Sequence, residues 1–166
     1  MPVIKKSFNV ANLVNNDGCF DLQFRKDIRR ERINSPTYYR WKAQFVVTSS
    51  KDNAKVLKKI KKEIGCGKIT ISKGQARFSV QSIGDISKSV VPFFRKNSLA
   101  DKKKKDFELW AKAVEIIHRN KGKYIANWKK NELLSLIEIQ NSSAKYKSRP
   151  RACKWLEMAR TLSKTI

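Results

Sequence analysis

Four stretches of this chain alternate apolar and polar residues strictly enough to be strands with one buried face, and this limits the fold more than any other feature. Over residues 19–25, Phe20, Leu22 and Phe24 fall on one side and Asp21, Gln23 and Arg25 on the other. Over residues 38–48, Trp41, Ala43, Phe45 and Val47 share a side. Two shorter runs, 68–72 and 76–81, meet at Lys73-Gly74-Gln75 and predict a hairpin. The charged stretch 26–36 ends in Asn34-Ser35-Pro36 and reads as a basic loop between the first two strands.

Helical spacing fills the gaps. Phe8, Val10, Ala11, Leu13 and Val14 recur through residues 5–16, and Asp17-Gly18 stops the run. Ser50 is placed to cap a helix over 51–64, where Ala54, Leu57, Ile60, Lys61 and Ile64 make a narrow stripe before Gly65. Residues 83–94 form a short helix interrupted near Pro92, and 101–120 form the longest, with Phe107, Trp110, Val114 and Ile117 in line. A further helix starts at Asn127 or Asn131 and runs to 139, and a last one spans 152–162. The order α-β-β-α-β-β-α-α predicts an α+β fold: a four-stranded antiparallel sheet, helices on one face, the polar face open. One domain is expected, with a core over 1–122 and a helical basic extension over 123–166.

Charge decides the class of partner. Thirty-eight Lys and Arg against 14 Asp and Glu leave a net charge of +24, a self-repulsion that a polyanion would relieve. The cations are spread along the whole length, which suits a folded surface following a nucleic-acid backbone. An apolar fraction of 40%, with eight Phe and four Trp, supplies a core that a disordered basic tail lacks. No apolar run approaches the roughly 20 residues that span a bilayer, and MPVIKKSF has no signal-peptide core. A soluble intracellular protein with no membrane partner is expected, in an organelle (chloroplast or mitochondrion) or a bacterial cytoplasm.

Cys19, Cys66 and Cys153 are too widely spaced for a zinc site and too few for a disulfide framework, so they read as small buried hydrophobes. His118 stands alone near a helix end and receives no role. Trp41 and Trp110 read as core, and Trp128 and Trp155 as packing rather than base stacking.

The segment Val10-Ala11-Asn12-Leu13-Val14-Asn15-Asn16-Asp17-Gly18 resembles the LAGLIDADG motif of homing endonucleases and intron maturases. Order and spacing support it: the alternating strand after the motif, QFVVTSS, a helix ending Glu63-Ile64-Gly65, Val91-Pro92-Phe93-Phe94, then Leu99 with KKKKDFELW. The resemblance covers roughly residues 8–117 and implies the single-motif, homodimeric type. In that fold the motif helices of two copies pack together and each sheet lies in a DNA major groove. The implied dimer contact is Phe8, Ala11, Asn12, Asn15 and Asn16, three of which are Asn where the family has Gly, an acid and another small residue.

The resemblance also implies chemistry. Asp17 would bind Mg²⁺ with its twin from the second subunit, and the Gly18 carbonyl would add a ligand. Without the resemblance, Asp17-Gly18 is a helix stop with Gly18 left-handed. Lys103 matches the family's basic residue at the active site, or is one solvated lysine among Lys102–Lys105. Ser49 falls where relatives place a water-positioning side chain, or caps the next helix. DNA contacts are expected from the alternating polar residues Gln23, Arg25, Arg40, Lys42, Gln44, Lys68, Thr70, Ser72, Gln75, Arg77 and Ser79, with Asp21 beside them. The implied function is metal-dependent cutting of both strands of a pseudo-palindromic double-stranded DNA site, promoting intron mobility. The alternative is a non-catalytic maturase that binds intron RNA or DNA.

Overall fold

The computed structural model describes residues 9–28, 37–147 and 156–165. Asn9 opens the first helix, α1 (Val10–Asp17), by accepting hydrogen bonds from the Ala11 and Asn12 amides. The start expected near residue 5, and with it Phe8, lies outside the described residues. The chain then passes directly into β1 (Gly18–Ile28) and returns as β2 (Thr37–Ser50). Both strands exceed the expected bounds, since residues 26–28 continue the ladder and pair with Thr37, Tyr38 and Tyr39.

A short 3₁₀ turn (Lys51–Asn53) leads into α2 (Ala54–Ile64). Ser50 stands at the turn's N-cap but makes no side-chain cap bond, and Ser49 lies in the sheet opposite Ala76, so neither serine caps as expected. Gly65 ends α2 at φ +89, which favours glycine, with its amide on the Lys61 carbonyl. Strands β3 (Lys68–Ser72) and β4 (Gln75–Val80) form the expected hairpin, turned through Lys73-Gly74, both at positive φ. The sheet is antiparallel, in the order β1-β2-β4-β3.

Residues 83–96 are helical throughout, as α3 (Ile83–Asp85), a π-helical stretch (Ile86–Val90) and α4 (Val91–Lys96). The irregularity expected at Pro92 sits just upstream of it. A proline clashes with the carbonyl of the preceding turn and donates no amide, and the wider π turn accommodates both. Helix α5 (Asp101–Arg119) crosses the sheet, α6 (Lys130–Ser143) packs on α5, and α7 (Leu156–Thr165) packs on α6. The described C-terminal residues therefore fold back onto the body. α6 starts at neither expected asparagine, and residues 148–155, where the last helix is expected to begin, lie outside the described residues.

The core is aromatic at its centre. Phe20 packs on Phe45, Phe94, Phe107 and Trp110 with ring centroids 5.0–5.5 Å apart. Trp110 donates its indole N–H to the Asp21 carbonyl at 3.0 Å, fixing α5 to β1. Trp41 and Trp128 are buried as expected, the latter donating to the Lys123 carbonyl. Among the described residues no helix is long and apolar enough to cross a membrane.

Candidate nucleic-acid and metal site

Strand register decides which side chains share the open face. Phe20↔Phe45, Leu22↔Ala43, Phe24↔Trp41 and Val47↔Phe78 are buried pairs on the helix side, so the residues between them point the other way. This brings Gln23↔Lys42 and Arg25↔Arg40 together on β1 and β2, with Gln44 beside them. On the hairpin it aligns Lys68↔Ser79, Thr70↔Arg77 and Ser72↔Gln75. All eleven residues expected to contact DNA are thus collected on one face. Register adds Thr48, opposite Arg77, and Lys42 reaches Gln81 at 3.1 Å, so these two belong to the face as well.

Two members differ from expectation. Asp21 is buried and accepts from the Gln44 side-chain amide at 2.7 Å, so its carboxylate is already engaged within the sheet. Ser79 is recessed at 9% exposure beneath its neighbours. Cys19, expected in the core, is exposed, because it follows the polar phase of β1, and Cys66 is half-buried. Cys153 and Trp155 lie outside the described residues.

Asp17 is the last residue of α1, exposed to solvent and directly before the edge strand β1. Gly18 is extended at φ −83, not left-handed as expected. The glycine is needed for space: a Cβ there would lie 2.5 Å from Val14 Cγ1 and 2.9 Å from the Val14 carbonyl oxygen. Helix and strand can follow one another this closely only without a side chain.

Lys103 donates to the Gly18 carbonyl at 2.6 Å. Of the run Lys102–Lys105 it alone is half-buried, which separates it from its solvated neighbours. Burial pushes its ammonium below the ordinary lysine value, and the nearby Asp106 carboxylate pulls it part of the way back. A second lysine, which sequence reasoning missed, stands beside it. Lys147 donates to the Phe20 carbonyl at 2.5 Å and to Asp106 Oδ2 at 3.1 Å. Asp106 is 1% exposed, and its Oδ1 is buried with no hydrogen-bond partner. Burial raises its carboxyl above the usual range, opposed by Lys147. Two ammonium groups and a buried carboxylate therefore back the strand that begins at the exposed acid.

The donors available to a metal are few. Asp17 and the Gly18 carbonyl are hard oxygen ligands of the kind Mg²⁺ takes. Among the described residues no three His, Cys, Asp or Glu side chains cluster to hold an ion. One chain thus offers the single carboxylate of Asp17, and the Gly18 carbonyl only alongside the Lys103 ammonium already on it.

The residues expected at a dimer contact separate into two groups. Asn12 and Asn16 are exposed on α1, joined by a hydrogen bond from the Asn16 side-chain amide to the Asn12 backbone carbonyl. Ala11, at 5% exposure, is packed in this chain's own core and has little surface left for a second copy. Asn15 accepts from the Ala100 amide at 3.1 Å, tying α1 to the start of α5 within the chain.

Comparison with known proteins points the same way. A family model described as LAGLIDADG endonuclease matches residues 11–114. The homing endonuclease I-TnaI is similar at 20% identity and a TM-score of 0.65, over 94% of this chain and 94% of that one. I-CvuI, solved with the I-CreI target and magnesium and with the DNA uncleaved, is similar at 17% identity and a TM-score of 0.68, over 93% and 90%. I-SmaMI bound to an uncleaved DNA target matches at 21% identity and a TM-score of 0.70, over 92% of this chain but only 47% of its own. This chain therefore spans about half of I-SmaMI and nearly all of the other two. No curated protein matches it.

Proposed function

The chain belongs to the LAGLIDADG endonuclease family, and from that membership we propose that it is a homing endonuclease that cuts both strands of a long duplex DNA site. It acts as a homodimer with Mg²⁺ and promotes the mobility of its own intron. The observation that carries this reading is the placement of Asp17: an exposed carboxylate at the end of α1, directly before the strand that carries Gln23 and Arg25, with Lys103 on the next carbonyl.

Each side chain then has a task. Arg25, Arg40, Lys42, Lys68 and Arg77 hold phosphates and set the protein's register on the duplex, and the Gln and Thr side chains between them meet base edges. Twofold repetition of the face gives a pseudo-palindromic site, because the DNA must match the protein's symmetry. Asp17 from each subunit would hold the metal, which when bound supplies charge neutralisation and an activated water. Lys103 holds positive charge where the phosphodiester becomes more negative. Lys147 and Asp106 keep the Gly18–Phe20 backbone in place, so that Asp17 projects from a fixed position.

Exposing a randomised duplex library to the protein and Mg²⁺, then sequencing the cut ends, tests the proposal. A single pseudo-palindromic consensus with staggered ends supports it. Tight binding with no cutting at any sequence refutes the endonuclease and favours the non-catalytic maturase.

A further inference from the structure

Helix α2 carries a second cationic surface, on the side of the molecule away from the open sheet face. At about 100° per residue, Lys55, Lys58, Lys59 and Lys62 fall within one stripe roughly a quarter-turn wide. Leu57, Ile60 and Ile64 are buried and fall on the opposite side of the same helix. Those three pack α2 onto β2, β3 and β4 from the helix side of the sheet. The four lysines are exposed and so point outward, with a helix about 10 Å across and then the sheet between them and the open face. They cannot reach a duplex held on that face.

Like charges three and four residues apart oppose helix formation. α2 has one acid, Glu63, four residues beyond Lys59 and so a neighbour of that lysine, which leaves the repulsion among Lys55, Lys58 and Lys62. An anion on the outside of α2 would relieve that repulsion.

We propose that this stripe is a second, sequence-independent DNA-binding surface that holds another segment of duplex while the open face holds the first. The inference rests on the reading of the open face as the principal DNA surface. From Lys55 to Lys62 the stripe is about 10 Å long, against a duplex that presents one phosphate per about 1.7 Å of axis. Several phosphates lie within its reach. A membrane surface fits less well, since an interfacial helix needs an apolar face for the lipid and α2 uses its own on the core. DNA is the polyanion nearest to hand, because a long molecule bound by the open face brings its own flanking duplex to high local concentration. A protein with two such faces loops or bridges DNA and passes between segments without release.

The test is capture of a second duplex. The full chain is loaded on an immobilised duplex, washed, and offered a fluorescent duplex of unrelated sequence at low salt. Wild type should capture it, and a variant carrying Lys55→Gln, Lys58→Gln and Lys62→Gln should capture at least fivefold less while holding the first duplex undiminished. A control with Lys112→Gln, Lys145→Gln and Lys164→Gln removes equal charge from exposed positions and should capture as wild type does. No capture by wild type, equal capture by the α2 variant, or equal loss in the control would overturn the proposal. So would α2-dependent binding to anionic lipid vesicles without α2-dependent DNA capture. Because the readout is binding, absence of cleavage would count against the endonuclease reading alone. A variant combining Arg40→Gln and Arg77→Gln with the three α2 substitutions that still held the first duplex would instead count against the assignment of the open face.

Discussion

Substituting Gly18 by alanine separates two explanations of that glycine. Its φ of −83 is open to any residue, so backbone conformation gives no penalty. Alanine would by itself stabilise the protein by about 0.4–1 kcal/mol through a less flexible unfolded chain. Sterics act against this. The new Cβ meets Val14 Cγ1 at 2.5 Å, which a rotamer change could relieve, but also the Val14 carbonyl oxygen at 2.9 Å and Cα at 3.0 Å, which only a shift of α1 relieves. Overpacking of this kind costs about 1–3 kcal/mol, so the net loss should be about 1.3 kcal/mol from the middle of both ranges, and at most about 2.6 kcal/mol, in urea denaturation. The functional loss should be larger. A shift of α1 moves Asp17 relative to the Lys103–Gly18 contact, and a misplacement near 1 Å can lower a rate about 10²-fold. Single-turnover cleavage at saturating protein would read that directly. If Gly18→Ala were as stable as wild type and cut equally fast, the close approach of α1 to β1 would not be what this glycine serves.

Two further outcomes follow from buried polar groups. Burial holds the Asp106 carboxyl above its ordinary value of 3.8, so the folded state keeps the proton at a pH where the unfolded chain has lost it. Stability from this group is complete below 3.8 and is lost as pH rises through the folded value. Thermal stability of wild type relative to Asp106→Asn, which does not titrate, should fall from about pH 4 upward, by at most about 1.4 kcal/mol per pH unit, and then level off. A relative stability that climbed over that range would mean that pairing with Lys147 outweighs burial. Trp110→Phe keeps a ring in the aromatic cluster but leaves the Asp21 carbonyl without its indole donor, at a cost of about 1–3 kcal/mol by denaturant midpoint. A change within a few tenths would show that water or a neighbour replaces the bond.

The strands were legible because alternation depends only on neighbouring residues, and one register then put every expected DNA-facing side chain on the same surface. The motif singled out Asp17, which lies exposed at the end of α1. What escaped depended on distance along the chain. Lys147 and Asp106 are 41 residues apart, and nothing local marks them as partners. The run KKKKD reads as surface, yet α5 turns Asp106 and part of Lys103 inward. Asn15 looks like an interface residue in the motif, and nothing local marks that its side chain also accepts from Ala100, 85 residues on. Gly18 has the letter of a helix stop, but its reason is Val14, a contact that no pattern of turn residues encodes.

The central claim is that Asp17 holds the metal for cleavage, while the open face of the sheet holds the DNA. Its most direct test measures duplex affinity and Mg²⁺-dependent cutting side by side for wild type and Asp17→Asn, on a site recovered from the randomised library. The variant should bind the site as tightly as wild type and cut neither strand. Cutting by the variant at the wild-type rate would contradict it.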